Sequence, residues 1–249
     1  MSSTSETGHA KNAANFEDLI SFCTGYGAKY NPSKEALKVA NLTTQRTNAL
    51  AALKQVKITE TAFNNATNKR IDAFKPLKQL ATQIVNALDS TDASAETVKD
   101  AKTINKKIQG QRGGKKETAS PNLSIEGAAE AKIISASQQS YDQQQEHFDK
   151  LIELLTSDSN YKPNETDLTI VTLNTKLADL KKANTAVVDT YTNVSNSRIN
   201  RDNVLYNPLT GLVNTALDVK KYVKSVFTAT SPEFKQVNRL PFKKIKNKK

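Results

Sequence analysis

Phe16-Glu17-Asp18-Leu19-Ile20 is echoed further on by Phe148-Asp149-Lys150-Leu151-Ile152. Tyr30-Asn31-Pro32-Ser33 returns as Tyr161-Lys162-Pro163-Asn164, and Phe74-Lys75-Pro76-Leu77-Lys78-Gln79-Leu80 as Tyr206-Asn207-Pro208-Leu209-Thr210-Gly211-Leu212. The echoes lie 132, 131 and 132 residues apart, so three landmarks keep one spacing to within a residue. A chain that repeats its landmarks in register has duplicated a structural unit, and the unit then governs how every other segment is read.

Between the second and third landmarks each copy carries a long amphipathic stretch. Leu42, Arg46, Ala49, Leu53, Val56, Glu60, Phe63, Thr67, Arg70 and Phe74 alternate steps of four and three, the spacing of a heptad seam. Leu173, Leu177, Leu180, Asn184, Val187, Tyr191, Val194, Arg198, Arg201 and Leu205 repeat it 131 residues later. The spacing predicts a helix over about 33–74, about 60 Å long at 1.5 Å per residue, with Pro32 just inside its start. Leu37, Leu50, Ile58 and Ile71 flank the seam and are expected to widen its apolar stripe. The polar seam members either pair across helices or snorkel to water, and snorkelling is the favoured expectation.

Around these long helices the punctuation is sparse. A first helix over 10–24 places Phe16, Leu19, Ile20 and Cys23 on one face, and Gly25 and Gly27 stop it. Pro76 and Pro208 predict a kink or a hairpin turn at both places, with Asn207 favouring a turn at the second. Helices follow over 77–89, 94–109 and 209–229, and Ser94-Ala95-Glu96 and Ser231-Pro232-Glu233 carry capping chemistry. A helix over 125–156 opens the second copy. The expected organisation is a disordered start over 1–9, a first helical repeat over 10–109, a flexible linker over 110–121, a second repeat over 122–237 and a basic tail over 238–249. The fold class is all-α: an elongated antiparallel helical bundle made of two tandem copies of a three-helix unit.

Composition supports a thin bundle over a thick core. Hydrophobic residues make up 37% of the chain and Trp is absent, against a usual apolar share of about 45–50%. No run of about 18 apolar residues could cross a membrane. The first nine residues have neither the basic nor the apolar region of a secretion signal. One cysteine allows no internal disulfide. A cytoplasmic location is expected.

The net charge of +11 is concentrated at one end. Residues 234–249 contribute +7 and contain no acid, which leaves +4 for the other 233 residues. Lys243, Lys244, Lys246, Lys248 and Lys249 are therefore the candidate partner-binding residues. Their chemistry suits an acidic protein partner first, then nucleic acid, then an anionic membrane surface, and solubility alone would also account for them.

Duplication supplies an internal control for catalytic candidates. Cys23 aligns with Leu155, so it reads as a buried hydrophobe and not a nucleophile. His147 aligns with Asn15 and reads as part of a solvated face; His9 falls in the polar start. Asp142, Glu146 and Asp149 have the spacing of a solvated acidic face. The two histidines and the cysteine lack metal-ligand spacing, and Gly113-Gly114-Lys115-Lys116 fails as a phosphate loop because no Ser or Thr follows the lysine. No catalytic, cofactor-binding or metal residue is expected.

The opening Thr7-Gly8-His9-Ala10-Lys11-Asn12-Ala13-Ala14-Asn15-Phe16, with Leu19-Ile20-Ser21-Phe22-Cys23 after it, resembles uncharacterised duplicated helical proteins of Bacteroidota-type bacteria. The resemblance implies a bacterial, cytoplasmic, helical protein and carries no site residues. The expected function is non-enzymatic: a structural or scaffolding protein that self-associates as a homo-oligomer or binds another protein, with a fibre as the open-ended outcome. Nucleic-acid binding through the basic tail is the alternative. A helical pore-forming toxin would need a concealed apolar segment, which this chain lacks.

Overall fold

The computed structural model describes residues 4–110 and 139–244, and among them every regular element is helical. The elements are α1 (Thr4–Gly25), α2 (Val39–Phe74), α3 (Leu77–Asp89), α4 (Ala95–Gln109), α5 (Tyr141–Ser157), α6 (Ile170–Tyr206), α7 (Leu212–Phe227) and α8 (Pro232–Asn238). The expected linker lies outside the described residues except for Gly110, whose positive φ of 79° ends α4.

Two compact units share these elements, and neither coincides with one sequence repeat. The first comprises residues 1–64 and 189–249, the second 65–188, so the divisions fall inside α2 and inside α6. In the first unit α1 and the start of α2 gather with the end of α6, α7 and α8 around Phe16, Leu19, Leu42, Leu205, Leu212, Val219 and Val237. In the second, the end of α2, α3, α4, α5 and the start of α6 enclose Leu77, Ile84, Leu88, Ile108, Phe148, Leu151 and Leu173. Each unit thus draws helices from both halves of the chain, because the apolar face of α1, or of α5, is covered by helices from the other half.

Local chemistry explains the helix ends. Ser94, Ser140 and Ser231 each accept a bond from a main-chain N–H three residues on, at 3.1, 3.2 and 3.1 Å. Pro232 occupies the first turn of α8, a seven-residue helix beyond those expected from the sequence. The Ser140 cap also shortens α5, which starts at Tyr141 and not near 125; residues 125–138 lie outside the described residues. At Pro208 the turn is built by Asn207, whose Oδ1 accepts from Leu209 N at 2.9 Å and Thr210 N at 3.1 Å. A Cβ on Gly211 would collide with the Asn207 backbone, so only glycine closes this turn. At Pro76 the break is only the two residues Lys75 and Pro76.

Several expectations change. Residues 4–9 are the first turns of α1 and not a disordered lead. Pro32 stays in the connector and α2 begins at Val39, because Tyr30 donates its hydroxyl to Leu37 O at 2.7 Å and holds Glu35–Leu37 as a separate 3₁₀ turn. The second connector repeats this: Tyr161 donates to Leu168 O at 2.9 Å over the turn Thr166–Leu168. Leu50, Ile58 and Ile71 face solvent and do not widen the stripe.

The polar seam residues pair instead of snorkelling alone. Arg198 meets Glu60 at 2.6 Å, and Arg70 donates to Asn184 Oδ1 at 3.0 Å while lying 4.1 Å over the Tyr141 ring. Asn184 in turn donates to Asp142 at 2.7 Å, and Arg46 pairs with Glu17. Arg201 is 1% exposed and binds Asp202 through Nε and Nη2 at 2.9 and 2.8 Å. A guanidinium buried so deeply requires a charged partner, since desolvation would otherwise be prohibitive.

Candidate interaction site: the seat of the C-terminal segment

The helix ends described above bring the last described residues back onto the first helix. α8 follows α7 after a short turn that contains Thr228, a non-glycine residue at φ 74°. Tyr26 fastens α8 by donating its hydroxyl to Glu233 O at 2.9 Å, and its ring lies 5.1 Å from Phe227. Beyond Asn238 the chain is no longer helical, and it needs outside partners for its backbone groups.

α1 supplies those partners from two asparagines one turn apart. Asn12 Nδ2 donates to Lys243 O at 2.8 Å, and Lys243 N donates to Asn12 Oδ1 at 3.1 Å, so one amide reads both main-chain groups of one residue. Asn15 Nδ2 donates to Pro241 O at 2.5 Å. Both asparagines are buried. Between the two clipped residues, Phe242 turns inward and meets Phe16 edge to face at 6.4 Å. From α7, Lys220 donates to Leu240 O at 2.6 Å and holds its ammonium 5.2 Å from the Phe242 ring centroid. Burial pushes the Lys220 pKa down.

Behind Asn12 lies a buried polar cluster. Asn12 Nδ2 also donates to Tyr206 Oη at 3.2 Å, and Tyr206 Oη lies 2.6 Å from His9 Nδ1. His9 is fully buried and Tyr206 nearly so. Tyr206 Oη accepts from the Asn12 amide and shares one more hydrogen bond with His9 Nδ1, whose direction follows the imidazole tautomer.

The five lysines expected to bind a partner divide. Lys243 is held through its backbone while its side chain is exposed, Lys244 is exposed beside it, and Lys246, Lys248 and Lys249 lie outside the described residues. Asn12, Asn15, Phe242 and Lys220, which build the seat, were not singled out from sequence. The available signal was two asparagines on the Phe16–Leu19 face of a helix, and one aromatic directly before the final lysines.

The other candidates are engaged elsewhere. Cys23 is 1% exposed and burial raises its thiol to about 11, which suits packing and not nucleophilic attack. His147, expected on a solvated face, is 5% exposed; burial, with Lys107 and Lys150 nearby, lowers its pKa. Glu146 pairs with Lys150 at 3.0 Å and Asp149 with Lys181 at 2.8 Å. Among the described residues no group of three or more His, Cys, Asp or Glu could hold a metal ion, and no helix is long and apolar enough to cross a membrane.

Fold and site together define an all-α protein that holds its own extended C-terminal segment by main-chain recognition. No family model matches the chain, and no curated protein and no solved structure matches it.

Proposed function

We propose that this protein is a non-enzymatic structural or scaffolding component that acts by self-association. The observation that carries this reading is an apolar row on regular helix surface: Tyr191 is 60% exposed and Ile199 65% exposed, eight residues apart on α6. With Val194, Ser195, Arg198 and Asp202 they line a shallow hollow of about 210 Å³. Large apolar side chains exposed together on one helix face, rimmed by polar residues, favour protein contact. A second apolar set, Leu50 and Ile58 on α2, is also exposed. Two different faces of this sort on one chain can propagate an assembly head to tail.

The finer architecture belongs to the same proposal. We read the chain as two tandem copies of one helical unit, each carrying a heptad seam. The paired tyrosine connectors support it, as does the burial of Leu42, Ala49, Leu53 and Val56 on one seam and Leu173, Leu177, Leu180 and Val187 on the other.

Sedimentation velocity of the full chain over a concentration series tests the function. Species that grow with concentration, and grow less in Tyr191→Glu/Ile199→Glu, are expected. A single monomer at every concentration would overturn it. Exposure of the Lys243 and Lys244 side chains favours a second reading, nucleic-acid binding through the tail. Its mark would be affinity that falls steeply as salt rises.

A further inference from the structure

We propose that the groove between α1 and α7 is a peptide seat whose ligand in trans is the C-terminal segment of a second copy of this chain. The inference rests on the self-association reading and adds to the apolar row on α6 a second contact between copies. Three features of the seat carry it.

First, recognition runs largely through the main chain. Asn12 reads the N–H and C=O of Lys243, Asn15 reads the C=O of Pro241, and Lys220 reads the C=O of Leu240. These groups would be satisfied identically by a segment from the same chain or from another. Second, specificity comes from one anchor, Phe242, set between Phe16 and the Lys220 ammonium. An extended peptide with an aromatic between two clipped backbone positions is the chemistry this seat fits. Third, the segment leaves α8 after only Arg239 and Leu240 and runs on in non-helical form, with the Lys243 and Lys244 side chains exposed. Exchange of identical elements between copies is a low-cost route to association. The first compact unit already depends on such a loan within the chain, since α1 is covered by α7 and α8 from the other half.

Complementation between two full-length variants tests the proposal. Asn12→Ala/Asn15→Ala breaks the seat and keeps the segment; Phe242→Ala breaks the segment and keeps the seat. With the seat-broken chain fluorescently labelled, adding the segment-broken chain is expected to move the label to a species one chain heavier in sedimentation velocity. Adding unlabelled seat-broken chain should move it less. If both additions act alike, exchange is overturned. If wild type associates in that case, self-association stands by another contact; if wild type also stays monomeric, both readings fall. A label shift with a monomeric wild type keeps the seat and sinks the scaffold. Should the asparagine variant lose helicity by circular dichroism, Lys220→Ala replaces it, because it weakens the seat from α7 and leaves α1 intact.

Discussion

The two compact units solve one problem in two ways. In the first, α1 presents Asn12, Asn15 and Phe16, and an extended segment lies on them. In the second, α5 presents Gln144, His147 and Phe148 at the corresponding positions, and the fifteen-residue helix α4 packs there. The counterpart of α4 in the first unit is α8, which has only seven residues. Where the short helix ends, non-helical chain takes over the covering. A helix satisfies its own backbone groups, so the face beneath it need offer only shape and apolar area. An extended segment arrives with free N–H and C=O groups, and the face beneath it must supply amides. That difference accounts for the two asparagines on α1.

Truncating the shared anchor should produce the largest effects, and similar ones. Phe16 and Phe148 are both fully buried, so Phe16→Ala and Phe148→Ala should each cost about 3–5 kcal/mol. Urea denaturation of the two variants provides the measurement. Losses that differ by more than about half would show that the two positions are not packed equivalently.

A smaller loss is expected when only the amide is removed, and here the units should part company. Asn12→Ala leaves both main-chain groups of Lys243 without their partner, a cost of about 1–3 kcal/mol. Gln144→Ala removes only a 3.0 Å bond to Gln139 O beside helix α5, and should cost less than half as much. Limited proteolysis offers a second readout, because Asn12→Ala should speed cleavage after Lys243 and Gln144→Ala should not.

Protonation sharpens the comparison from the other side. Burial and two lysines hold the His147 pKa below the ordinary histidine value of 6.5. The unfolded chain therefore binds a proton at this residue before the folded chain does, and stability falls as pH drops below about 6.5, down to the depressed folded value. Chemical denaturation at pH 7.5 and pH 5.5 should show this loss in wild type and a reduced one in His147→Asn, which imports the first unit's residue. An unchanged pH dependence in that variant would remove His147 from the account.

How much of this was legible beforehand follows from the range of the forces involved. Helix ends governed by their own residues could be read directly: Gly25 ends α1 and Ser94 caps α4, whereas at Ser231 the cap was legible and the seven-residue helix behind it was not. The start of α2 was misplaced by six residues because a side chain fixes it from outside the helix, through the Tyr30 bond to Leu37 O. Polar seam residues admitted two outcomes, and only the partner helix decides between them: Arg198 lies 138 residues from Glu60. The basic tail was visible as charge, yet its seat was not. Asn12 and Asn15 look like solvated helix residues until chain more than 220 residues away covers them.

The smallest expected effect separates charge from seating within that tail. Lys243 is clipped by its backbone and its side chain reaches solvent, so Lys243→Ala keeps every bond that Asn12 makes to it. Its stability should stay within about 0.5 kcal/mol of wild type, as for most exposed substitutions. The same variant tests the charge independently: were the tail to bind nucleic acid, losing one lysine would lower the slope of log affinity against log salt by somewhat less than one. A stability loss as large as that of Asn12→Ala would mean that the lysine side chain itself holds the segment down. The asparagine clip would then be a consequence of seating, and the contrast between an amide-lined face on α1 and a helix-covered face on α5 would need another cause.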